Sequence, residues 1–177
     1  RDELARDWTT LESQAQASFF LTWNWIGTLL EAAESADAPL VLRVMAGDSL
    51  KGLARLWRSR ERRHRLLRSR VRHLNETGRP EFDRLTLEHN GILASIGEEA
   101  SVLQASVAFL KRMPGWDECL LSGLDAPVDQ ALQQAAGQHG LWYRQRWEKT
   151  YHYIRLGELR LQDEDYLESL STNTRYQ

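Results

Sequence analysis

Carboxylates beside an imidazole and a carboxamide can bind a substrate amine or take its proton, and one stretch of the chain offers that set: Asp83, Glu88, His89 and Asn90. The cluster follows the loop Thr77-Gly78-Arg79-Pro80 and precedes an apolar segment from Ile92. The same residue types beside a loop more often serve as turn and cap residues, so the cluster has a structural reading as well as a chemical one. Other chemistries find less support. The nearest thing to a phosphate loop, Gly137-Gln138-His139-Gly140, follows a helical pattern rather than opening one, which places its glycines at a negative helix end as a cap. The five histidines, 64, 73, 89, 139 and 152, show no metal-ligand spacing, so no metal is expected. There is no GxSxG, and Cys119 sits in an apolar stretch where a thiol is inert packing.

A second kind of chemistry is carried by charge. The net charge is −2, yet Lys51 to His73 holds ten Lys or Arg residues against one acid, Glu61, so a basic band lies on an acidic remainder. Arginine outnumbers lysine by twenty to three, and its planar fork suits carboxylates and phosphates. Read as a strand, the second part of the band puts Arg68, Arg70 and Arg72 on one face, about 6.7 Å apart, as an anion-binding or domain-facing row. Such a face can hold a nucleic acid or another polyanion, or it can be a solvated sheet face.

These residues need elements to position them. At 177 residues, the chain supports one domain with a real core. It has no uncharged apolar run near the ~20 residues of a membrane helix, so no membrane partner is expected. A single cysteine excludes an internal disulfide and fits the reducing cytoplasm. The N-terminus lacks an initiating Met and a signal-like core, so the chain is expected to begin inside a longer sequence.

Spacing predicts a short helix over 9–17 and a longer one over 18–36, then a strand from Pro39 to Met45 and a turn at 46–49. Leu50 to Leu74 satisfies both a helical and a strand period. Helices are expected over 97–113, which has acids first, bases last and Pro114 after, and over 127–136 with Pro at its start. Strands are expected over 116–124 and 141–156, the latter placing Trp142, Trp147, Tyr151 and Tyr153 in a core or a sugar-binding groove. A final helix is expected to open at Asp163. Alternating strand and helix patterns indicate α/β.

Several stretches together resemble the GNAT-superfamily acyltransferases of the CelD/BcsL type, related to FemAB-like peptidyltransferases. They are WTTLESQAQASFFLTWNWIGTLLE (8–31), APLVLRVMAGDSLKGLARLWRSR (38–60), TGRPEFDRLTLEHNGIL (77–93) and YLESLSTNTRYQ (166–177). The resemblance implies a GNAT-like mixed, largely antiparallel sheet flanked by helices, with two strands across Leu50 to Leu74. It implies an N-terminal GNAT-like domain over 1–162. Residues 163–177 would then open a helix leading into a C-terminal domain that binds acyl-CoA, such as acetyl-CoA, and that domain would be this chain's own partner. By the same resemblance Asp83, Glu88 and Asn90 are acceptor-facing and His89 handles the proton. The expectation is the acceptor-side half of an N- or O-acyltransferase acting on a sugar, polysaccharide or amino-acid derivative. The alternative is a non-enzymatic Arg-rich module binding nucleic acid or another anionic partner.

Overall fold

The computed structural model describes residues 1–33, 38–83, 87–150 and 156–162. The chain divides into two units, 1–143 and 144–177. Three strands, β1 (Leu40–Ala46), β2 (Ser49–Arg63) and β3 (Leu67–Leu74), form an antiparallel meander. A short β4 (Leu93–Ala94) pairs antiparallel with Gly52 and Leu53 of β2, and β5 (Glu118–Leu120) adds parallel to β3. The product is the expected class: a mixed, mostly antiparallel open sheet of five strands flanked by helices.

The stretch that periodicity left open is two strands. Residues 52–57 of β2 are buried on both faces, so they show no alternation, whereas 58–63 alternate between more and less exposed positions. The two strands turn through His64 and Arg65, both at positive φ. Gly47 supplies the positive φ of the β1–β2 turn.

One sheet face packs under α1 (Asp2–Glu12) and α2 (Trp23–Ala32), where Trp8, Leu11, Ile26, Leu53 and Leu93 share a core. The other face carries Leu42, Ala54, Leu56 and Leu74 against Leu110 of α3 (Glu99–Arg112). Gly52 lets that helix close on β2, because a Cβ there would stand 2.4 Å from Val102 Cγ1. Helix α4 (Ala126–Gln138) covers α3 through Leu132 and Ala135 against Leu103 and Val107.

Some elements differ from expectation. Helix α1 begins at Asp2, with Asp2 and Glu3 at its positive end, rather than at Thr9. The helix expected over 18–36 breaks into a 3-10 turn at Phe19–Leu21 and α2. Thr22 takes an extended conformation between them, its hydroxyl bonds Phe19 O, and Glu12 Oε2 accepts the Trp23 amide. The strand expected over 116–124 shrinks to β5. Of the one expected over 141–156, residues 141–150 have no regular structure, Trp142 and Trp147 are 84% exposed, and Leu156 already belongs to a helix, α5 (Leu156–Gln162). A strand needs a paired neighbour, and among the described residues no strand pairs with 141–150. Tyr151, Tyr153 and the segment from Asp163 lie outside the described residues. Helix α4 ends as expected, with Gly140 at φ +64 and the Leu141 amide bonded back to Ala136 O.

Candidate functional site

Between β3 and β4 the chain makes an excursion, 75–92, whose two ends are clamped together. Asn75, fully buried at positive φ, accepts the Arg55 amide on Oδ1 and donates through Nδ2 to Asn90 Oδ1 (2.9 Å) and Gly91 O (2.8 Å). Asn90 donates in turn to Leu74 O and Ser122 O, both at 3.0 Å. Inside the excursion, Asp83 closes a loop: Oδ1 accepts from the amide and hydroxyl of Thr77 and Oδ2 from the Arg79 amide.

Arg55 ties this excursion to α2. Its guanidinium is fully buried, donates to Ile26 O and Asn75 O (3.3 Å each) and lies 4.7 Å from the centre of the Trp57 ring. Burial pulls it down to about 9.

The walls so held enclose a cleft of about 190 Å³, lined by Trp25, Thr28, Leu29 and Ala32 of α2 and by Glu76, Glu81, Phe82, Asp83 and Leu87 of the excursion. Burial pushes the Glu76 carboxyl above the usual carboxylate range against the lowering effect of the Ser122 side chain, and the nearby charge of Asp83 adds to the rise. The Trp25 indole N–H is buried and meets no partner among the described residues. Three carboxylates beside two aromatic rings make an environment for a cationic or hydrogen-bond-donating group.

The structure thus brings Asp83 to a cleft but separates the rest of the sequence-selected cluster. Asn90 is a buried clamp, 2% exposed. His89, at positive φ, turns its imidazole to the start of α4, where Nδ1 meets Asp125 Oδ1 at 2.7 Å and Oδ2 at 2.9 Å. Glu88 is half-buried, and its Cα would lie 3.5 Å from a Cβ on Gly123. None of these three lines the cleft. Glu76 and Glu81 were not selected from sequence. Glu76 lies two residues past the end of β3, in Asn75-Glu76-Thr77-Gly78, and a carboxylate at a strand exit is the signal the sequence offers.

The arginine row is larger than the sequence indicated. Arg58↔Arg72, Arg60↔Arg70 and Arg62↔Arg68 are direct partners across β2 and β3, three rungs on one face. Arg70 is held in a fork by Asp117 (3.0 and 2.7 Å), which keeps that carboxyl down at about 2. On the opposite face Arg63 forks onto Glu118 and pairs with Glu61, while His73 bonds Ser59 at 2.8 Å. Burial pulls His73 below its usual value, and it pushes the Cys119 thiol up to about 12. Among the described residues no three metal-ligating side chains converge, and no helix is long and apolar enough to cross a membrane. No family model, curated protein or solved structure matches the chain.

Proposed function

We propose that the chain is the acceptor-side part of an acyl-CoA-dependent N- or O-acyltransferase, and that the α2 cleft receives the acceptor's nucleophile-bearing end. The observation that carries this reading is the convergence of Glu76, Glu81 and Asp83 with Trp25 and Phe82 around one cavity. Carboxylates attract an ammonium group, aromatic faces add to that attraction, and a buried carboxylate with a raised pKa accepts a proton as the amine becomes a nucleophile. The cavity is smaller than the roughly 300 Å³ at which pockets for whole drug-sized ligands begin, so it suits an end group of a sugar or amino-acid derivative. The mixed sheet flanked by helices is the architecture the sequence resemblance implies.

The acyl-CoA donor does not fit the described part of 1–143. A pyrophosphate seeks open amides at a positive helix start. Here each such start meets an acid: Asp2 and Glu3 on α1, Glu12 on the first amide of α2, Glu98 and Glu99 on α3, Asp125 and Asp129 on α4. The donor therefore belongs to other polypeptide in this reading.

Calorimetric titration of the chain with an amino sugar, its N-acetylated form and coenzyme A tests the proposal. Saturable binding of the free amine alone, lost in Glu76→Gln, is the expected result. Saturable binding of coenzyme A, or amine binding indifferent to Glu76→Gln, overturns it.

A further inference from the structure

We propose that the β2–β3 hairpin is an interfacial anchor that docks on an anionic phospholipid surface. Like charges directly opposite one another weaken an antiparallel pair, and this hairpin sets three such rungs in succession. Asp117 answers only Arg70, and among the described residues Arg60, Arg62, Arg68 and Arg72 form no ion pair. The charge is one-sided, because the opposite face satisfies its own: Arg63 with Glu118 and Glu61, Ser69 with Glu118 at 2.6 Å. A plane of guanidinium forks facing outward is complementary to a plane of phosphates.

The tip of the same hairpin supplies the second, independent observation. Leu66, in the turn with the positive-φ residues His64 and Arg65, is 87% exposed. A polynucleotide would neutralise the rungs but leave Leu66 in water. A phospholipid interface takes both features, the arginines at the phosphate level and Leu66 of the tip among the upper acyl carbons. This contact lies on the surface and uses no spanning helix.

Co-sedimentation of the full chain with unilamellar vesicles of phosphatidylcholine, with and without phosphatidylglycerol, tests it, with circular dichroism confirming that each variant is folded. Partitioning is expected to be about tenfold or more stronger on the anionic vesicles and to weaken as salt rises. The Arg62→Gln/Arg68→Gln double variant should lose about tenfold, and Leu66→Ser should remove the binding that salt leaves behind. The anchor is overturned by no vesicle binding, by equal binding to both vesicles, by variants that partition like the parent, or by a single-stranded oligonucleotide that strips the protein from the vesicles.

Discussion

Asn75 and Asn90 meet amide to amide, Nδ2 to Oδ1 at 2.9 Å, and this bond joins the point where the chain leaves β3 to the point where it returns toward β4. The Asn75 side chain also accepts from Arg55, and that of Asn90 also reaches Leu74 and Ser122. The loop bearing Glu76, Glu81 and Asp83 is therefore hung from a fully bonded pair of buried amides rather than from apolar packing.

Asn90→Leu keeps the volume and removes the bonding, stranding one of the two Asn75 Nδ2 hydrogens, the Gly91 amide and the carbonyls of Leu74 and Ser122 from their present partner. Each stranded buried group costs about 1–3 kcal/mol, so a loss on the order of 3 kcal/mol is expected in urea unfolding. A change under 1 kcal/mol would show that the clamp is not what holds the loop.

Two glycines at positive φ separate backbone strain from crowding. Gly47 has φ +58 and open space around it, so Gly47→Ala should cost about 1 kcal/mol, the left-handed penalty alone. Gly123 has φ +65 and would place a Cβ 1.9 Å from Leu87 O, backbone against backbone. Gly123→Ala should lower stability by clearly more than Gly47→Ala and move Leu87, a cleft residue, which amide chemical shifts in the loop would report.

The local signals in this sequence were the reliable ones. Pro127 opening α4, Gly140 closing it, the acids and bases at the two ends of α3 and the Gly47 turn all appear where their backbone chemistry requires them. What failed depended on partners distant in sequence. Periodicity could not separate helix from strand at 52–57 because both faces of β2 are covered, and the aromatic run at 141–150 has strand propensity but no strand among the described residues that pairs with it. At the site, Asp83 was legible as an arranged carboxylate, whereas Glu76 gains its character from burial beneath α2, which no spacing encodes. His89 was selected for its imidazole, yet its positive φ turns the ring to Asp125.

His73 gives the fold a pH dependence. Its folded pKa lies below the unfolded value of 6.5, chiefly through burial, so the unfolded chain binds the proton more readily and stability falls as pH drops below 6.5 toward the folded pKa. Glu76 acts in the opposite sense, since a raised carboxyl pKa favours the folded state on acidification. Comparing His73→Gln with the parent cancels the Glu76 contribution. The variant should show a flatter urea midpoint between about pH 7 and 5, and a parallel pair of curves would remove His73 as the cause.

The rung Arg62↔Arg68 should be a stability liability in the absence of a partner. Arg68→Thr places a good strand former opposite a single charge and is expected to stabilise the fold by about 0.5 kcal/mol at low salt. The gain should fade at ionic strengths near 1 M, where charges are screened within roughly 3 Å. A destabilised Arg68→Thr at low salt would mean that the rung is already neutralised within the fold.

Glu76 should show the conflict between stability and function most directly. A carboxylate kept above its usual pKa by burial is one whose charged form the fold disfavours, so at neutral pH Glu76→Gln relieves part of that penalty while keeping the shape of the side chain. The variant is expected to unfold at higher urea, by about 1 kcal/mol, and to lose binding of a free amine. The stabilisation should shrink as pH falls toward the folded pKa, where the parent carboxyl is itself neutral. A residue kept only for packing would give the opposite pair of results, an unchanged or weakened fold with amine binding intact.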